Sequence, residues 1–173
     1  MRLSATLAAA SILFLTAPAA ALTLSSGDFA NGAVIPEAHI YPRCGGQNVS
    51  PALAWGGIPA GTQSLVLTVI DVSVKPSGWS HWIVVDLPPQ TSGLARGATL
   101  PAPAKAVAGN FGDPFYDGPC PPQGSGVHRY EFTIWAMPSA HTVIAPDARA
   151  TGVEAMLTKA ALAHATIAGH VTR

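Results

Sequence analysis

A mainly β fold, its core closed by one C-terminal helix, is what this sequence predicts, on three observations. Short runs rich in Val, Ile, Leu and Thr recur through the middle of the chain. Long stretches rich in Gly and Pro separate them. Helical signals come only near the end. Strands first and a helix afterwards describe a β-rich core with a helix packed against it. The 173 residues suffice for one domain and are too few for two comfortable ones.

The elements follow in order. Residues 1–21 read as a secretory signal: Arg2 supplies the positive end, Leu7 to Ala17 the apolar stretch, and Ala19-Ala20-Ala21 a small-residue cleavage site. The alternative, an uncleaved anchor, is disfavoured because the apolar run is short for a span of about 20 residues and Pro18 interrupts it. No Cys follows the run, so no lipid anchor is expected. Residues 22–173 then form a single domain, periplasmic or secreted. Residues 24–60 are rich in Gly, Pro, Asn and Ser, with short apolar pieces. Ser64 to Asp71 (SLVLTVID) is a buried strand. His81 to Leu87 (HWIVVDL) is a second, stopped by Pro88-Pro89, and Tyr130 to Met137 (YEFTIWAM) a third, stopped by Pro138. Residues 90–114 have no sustained period and read as a functional or packed loop. Between Tyr116 and Tyr130 lies a Pro- and Gly-rich loop, YDGPCPPQGSGVHRY. Pro fixes φ and Gly admits positive φ, so such a loop holds one shape at low entropic cost. Thr151 and Glu154 have the spacing of a capping box. Ala155 to Ala168 then predicts the C-terminal helix, with Gly169 as its stop.

Composition excludes several functions. Charged residues make up 10% and hydrophobic ones 49%, which argues for a compact fold and against disorder. Basic and acidic residues balance at nine each, so no nucleic-acid footprint is expected. No basic amphipathic helix is evident, so strong membrane binding is not expected either. An exported chain meets an oxidising compartment, where Cys44 and Cys120 have one intramolecular pairing open to them. Spacing leaves that bridge and two buried thiols both open. Without a CxxC there is no case for a thiol-redox or zinc-finger role. The sequence has no Gly-x-Ser-x-Gly, and its Gly109-Asn110-Phe111-Gly112 lacks the Gly-Lys-Ser/Thr end of a phosphate-binding loop.

Asp71 ends the first strand, His81 begins the second, and His128 opens the third. A strand end puts a polar side chain at the rim of a sheet, so one carboxylate and two imidazoles can converge at one end, walled by Tyr116 and the Gly118-Pro119 turn. Such a cluster can hold a metal such as Zn²⁺. It can also bind an anion through protonated His, with Asp71 raising the imidazole pKa. The plain alternative is that each His is a satisfied structural residue. His39, His141, His164 and His170 lack a partner pattern and read as solvated or capping. Arg129, next to an inward His128, is expected on the opposite face in a salt bridge. The four Trp residues are expected in the core or a pocket wall.

These residues carry a resemblance. Asn48-Val49-Ser50-Pro51-Ala52-Leu53-Ala54-Trp55, Asp71, Trp79-Ser80-His81-Trp82-Ile83-Val84-Val85, Gly109-Asn110-Phe111-Gly112 and the Tyr116–Tyr130 segment occur in the order of the signatures of one family. The chain resembles the phosphatidylethanolamine-binding protein (PEBP) family, in its bacterial Raf-kinase-inhibitor-like branch, over residues 24–170. The resemblance implies an antiparallel β-sandwich with C-terminal helical decoration. It also implies an anion pocket at one end, formed here by Asp71, Trp79, His81, Tyr116, Gly118, Pro119, Pro121 and His128. The implied ligand is a small anion or phospholipid head group, such as phosphate or phosphorylethanolamine, held without catalysis and without a cofactor. An inhibitor or interaction module for an extracytoplasmic protease or a kinase-type partner is the alternative. A metal-dependent hydrolase using Asp71, His81 and His128 is a third reading. The family's Asp-Pro-Asp-x-Pro loop here reads Asp71-Val72-Ser73-Val74-Lys75-Pro76. Exchange of a carboxylate for Ser73, with Lys75 added, predicts a pocket that favours anions over cationic ethanolamine.

Overall fold

The computed structural model describes residues 20–145 and 148–173. The leader expected over residues 1–21 therefore lies almost wholly outside the described residues. Two sheets make up the fold. The smaller contains β1 (Thr23–Ser26), β3 (Leu53–Gly56) and β6 (Gly93–Leu94), in the order β1-β3-β6. The larger contains β2 (Ala33–Val34), β4 (Ser64–Asp71), β5 (Trp79–Leu87), β7 (Lys105–Val107), β8 (Val127–Met137) and β9 (Ala163–Thr172). Its order is β2-β9-β8-β4-β5-β7. All pairings are antiparallel except the short β2–β9 contact, which is parallel.

The continuous apolar run of β4 has a physical cause. It lies between β5 and β8, and all of its residues are buried. On one face Leu65, Leu67 and Val69 join Leu53 and Trp55 of the small sheet, Val84, Phe132, Ile134 and Ile167 in the main core. On the other, Val66 joins Ile83, Val85, Trp135 and Met137 beneath α1 (Ala150–Ala160), which contributes Val153 and Leu157. A strand covered on both faces loses the polar half of the usual alternation. Between its polar ends, Ser64 and Asp71, the strand has one polar residue, Thr68, whose hydroxyl accepts the Trp135 indole N–H at 3.0 Å.

The helix expected over Ala155–Ala168 is corrected in both extent and position. It ends at Ala160, and the chain continues as β9, paired with β8 from Ala163↔Ala136 to Thr172↔Val127. Arg149 occupies the N-cap with no side-chain cap, so the Thr151–Glu154 capping box does not form. Gly169 is no helix stop. It sits within β9, where a Cβ would run into the Ile35 side chain. The expected strands start earlier than their apolar runs: Trp79 rather than His81, and Val127 rather than Tyr130. No helix among the described residues is long and apolar enough to cross a membrane.

Candidate functional site

The site is built where β4, β5 and β8 end together. Trp79 pairs with Asp71, and Asp71 with Tyr130, so one row crosses three strands. The register of β4 against β5 shifts between Val69 and Ile70, one step before the row, and such a bulge re-aims the side chains that follow it. His81 and His128 each lie two residues from a member of this row. Asp71, Val74, Trp79, His81, Phe111, Cys120, Pro121, Pro122, His128 and Tyr130 line a cavity of about 320 Å³.

Its polar groups are tightly specified. His128 Nδ1 lies 2.6 Å from Asp71 Oδ2, and both residues are buried. The other oxygen, Oδ1, accepts the Ser73 backbone N–H at 2.9 Å. Both carboxylate oxygens are thus engaged, and His128 is held with Nδ1 toward Asp71. His81 Nδ1 is 2.7 Å from the Asp117 carbonyl oxygen. A carbonyl only accepts, so Nδ1 carries the proton and Nε2 of the neutral ring keeps its lone pair. Burial is the main cause that holds the His81 pKa below the ordinary 6.5, outweighing the Asp117 carbonyl and the Asp71 charge. The expectation that Asp71 raises it is therefore corrected for His81: desolvation wins. The Tyr130 hydroxyl is fully buried and has no well-formed hydrogen bond among the described residues. Burial, then the Asp71 charge and the reach of the hydroxyl toward that carboxylate as an acceptor, push its pKa up, so it stays a protonated donor.

Three other segments hold this arrangement in place. Asn48, at φ 56°, donates from Nδ2 to the Tyr116 carbonyl at 2.9 Å and accepts the Gly118 N–H at 2.7 Å. It thereby clamps the chain on both sides of Asp117, whose carbonyl orients His81. Gly118 also passes so close to the His39–Tyr41 backbone that no Cβ fits there. The Asn110 side chain accepts both the Ser80 N–H and hydroxyl at 2.7 Å. That clamp sets Phe111 edge-on to His81 at 5.2 Å and to Trp79 at 5.7 Å. Cys44 and Cys120 are joined in a disulfide, with a Cα–Cα distance of 5.5 Å.

Of the expected site residues, Asp71, Trp79, His81, Pro121 and His128 meet in the cavity. Tyr116, Gly118 and Pro119 do not line it. The Tyr116 hydroxyl donates to the His39 carbonyl at 3.0 Å, and its ring packs on Trp82. Gly118 N–H goes to Asn48, and the Pro119 carbonyl accepts Tyr41 N–H. Lys75 is exposed and lines no part of the cavity, while Ser73 is occupied with Asp71 and the Arg129 backbone. Arg129 pairs with Glu131 at 2.9 Å, as expected of the opposite face. His39, expected to be solvated or capping, is fully buried, with Nδ1 2.7 Å from the Val49 carbonyl. Tyr130 and Phe111 were not foreseen as pocket residues. The alternation that places His128 inward also places Tyr130 inward, which was the available signal. Among the described residues no group of three His, Cys, Asp or Glu side chains is placed to hold a metal ion.

A two-sheet β fold with a small, polar-floored cavity at its strand ends defines a binding-type protein. Comparison with known proteins gives the class its family. The family model described as phosphatidylethanolamine-binding protein matches residues 25–172, and the chain belongs to that family. It is 37% identical to YbcL of Escherichia coli over 131 residues, covering 70% of this chain and 72% of YbcL. It is 42% identical over 140 residues to LppC of Mycobacterium tuberculosis, whose assigned name is that of a lipoprotein, covering 80% of this chain and 66% of LppC. The crystal structure of YbcL, described as a new member of the mammalian PEBP family, superposes with a TM-score of 0.79 at 31% identity, covering 87% of this chain and 98% of that one.

Proposed function

We propose that this chain is an exported, non-catalytic binding protein whose 320 Å³ cavity takes a small anion or the head group of a phospholipid. One observation carries the reading: the cavity holds a buried hydroxyl donor, Tyr130, that makes no well-formed hydrogen bond, with the Asp71 carboxylate beside it. A buried donor without a well-formed hydrogen bond costs up to about 1–3 kcal/mol, and an anionic oxygen in the cavity relieves that cost. The neighbouring groups refine the ligand. His81 offers a lone pair and Asp71 a negative charge, so a fully deprotonated anion meets repulsion as well as Tyr130. A ligand that brings its own proton, such as monoanionic phosphate, satisfies both sides: its P–O⁻ accepts from Tyr130 and its P–O–H donates to His81 Nε2. Phosphorylethanolamine offers its ammonium to the same acceptors. The preference for anions over the zwitterion, expected from Ser73 and Lys75, loses its basis because neither side chain lines the cavity. Export is supported by the leader-like residues 1–21 and by the lipoprotein name of LppC.

The test is calorimetric titration of residues 22–173 with phosphate, phosphorylethanolamine and acetate, repeated on His128→Ala. Saturable binding is expected, lost in the variant, and for phosphate stronger at pH 6 than at pH 8 as the monoanion gains. No binding by any of the three would overturn the reading and favour a protein-docking role instead.

A further inference from the structure

The cavity does not stand alone. Phe111, Cys120, Pro121 and Pro122 line it, and they also line a second cavity of about 570 Å³, completed by Tyr41, Arg43, Gln123 and Arg173. The shared residues form a sill of one aromatic ring, one end of the disulfide and two prolines. The chemistry changes across it. On one side lie Asp71, the two imidazoles and Tyr130. On the other lie two guanidinium groups and no Asp or Glu side chain. Among the described residues neither Arg43 nor Arg173 has a carboxylate within salt-bridge distance.

Both arginines are positioned through the disulfide. Arg43 sits in the 3₁₀ turn Pro42–Cys44, whose last residue is bonded to Cys120, and Cys120 directly precedes Pro121. Arg173 Nη1 lies 2.9 Å from Cys44 Sγ and donates to the Pro121 carbonyl at 3.4 Å. That engages one nitrogen and leaves Nε and Nη2 available. Guanidinium groups read phosphate and carboxylate through paired, charge-assisted hydrogen bonds, and they stay charged where His81 is neutral.

We propose that this second cavity is an anion subsite, and that the ligand carries two anionic groups, one in each cavity, joined across the Phe111–Pro122 sill. The proposal rests on the anion-pocket reading above and adds the ligand's second half. A ruler tests it: methylphosphonate against a series of α,ω-alkane bisphosphonates with two to eight carbons, titrated into the wild-type protein and Arg43→Gln/Arg173→Gln. Tethering makes the second contact intramolecular, with an effective concentration in the millimolar range. The expected result is an affinity maximum at one spacer length, at least tenfold above methylphosphonate. The ratio of the two affinities, measured within each protein, should fall to near one in the double variant. A ratio near one at every spacer in the wild type, while methylphosphonate still binds, would overturn the subsite alone. A gain that survives in the double variant would overturn it too. Failure of methylphosphonate to bind would remove the first pocket and this proposal together.

Discussion

The cavity of about 320 Å³ at the strand ends contrasts with a larger one of about 830 Å³ lined by Asn48, Trp82, Leu100, Ala106, Phe115 and Tyr116, among others. The larger one has the volume. Its one ionisable group is the Tyr116 phenol, which already donates to His39. The smaller holds a buried carboxylate–imidazole pair, a second imidazole locked in one tautomer, and a hydroxyl with no well-formed hydrogen bond. On the proposed function, the lesson is that unspent hydrogen-bonding capacity is a better guide to a site than empty space. A satisfied polar group has nothing left to offer a ligand.

The contrast can be broken most forcefully through the disulfide, whose Cys120 lines the smaller cavity and no part of the larger one. Cys44→Ser/Cys120→Ser opens a loop of sequence separation 76. It is expected to cost ~4 kcal/mol in the chain-entropy account, seen as a Tm fall of roughly 8–16 °C in a thermal melt. A fall under about 2 °C would contradict that account. A sharper cut is Tyr130→Phe. Removing a buried hydroxyl that makes no well-formed hydrogen bond is expected to raise the stability of the ligand-free protein by about 1 kcal/mol while weakening phosphate binding roughly tenfold or more. Loss of both stability and affinity would mean the hydroxyl has a partner already. Ala104→Leu, which intrudes on the larger cavity, is expected to leave phosphate affinity within about twofold.

The smallest effect concerns pH. Burial and the adjacent Asp113 carboxylate raise the Asp117 pKa to about 7 from an ordinary 3.8. The folded chain therefore binds this proton more tightly than the unfolded chain does. Its stabilising contribution is full below about pH 4 and declines as pH rises to about 7. His81 has the opposite sign: with a depressed pKa, the stability linked to its neutral form is present above 6.5 and declines as pH falls below it. Asp117→Asn keeps the backbone carbonyl that holds His81. It is expected to raise Tm by roughly 3 °C at pH 8 and leave it unchanged at pH 4. An equal shift at both values would rule out titration as the cause.

Sequence alone made β4, β5 and β8 visible, because strands buried on both faces spell unbroken apolar runs. It failed at β9. Ala163, Ala165 and Ala168 carry helix propensity, and their strand state is imposed by ten residues of pairing to β8. The hint was a period of two, with Ile167 and Val171 on the face shared with the main core. In the site, Asp71, His81 and His128 were legible as polar residues at strand ends. The neutral state of His81 was not, since it depends on burial and on a carbonyl 36 residues away in the chain. Phe111 was equally hidden, because the Ser80–Asn110 clamp that delivers it is a tertiary contact.

Asn48 touches no part of the smaller cavity, yet its two amide hydrogen bonds fix the peptide whose oxygen decides which His81 nitrogen is protonated. It acts on the pocket at second hand. If the cavity binds as proposed, recognition is inherited along a relay of amides, and the residue that sets the polarity of the ligand's partner lies beyond the ligand's reach.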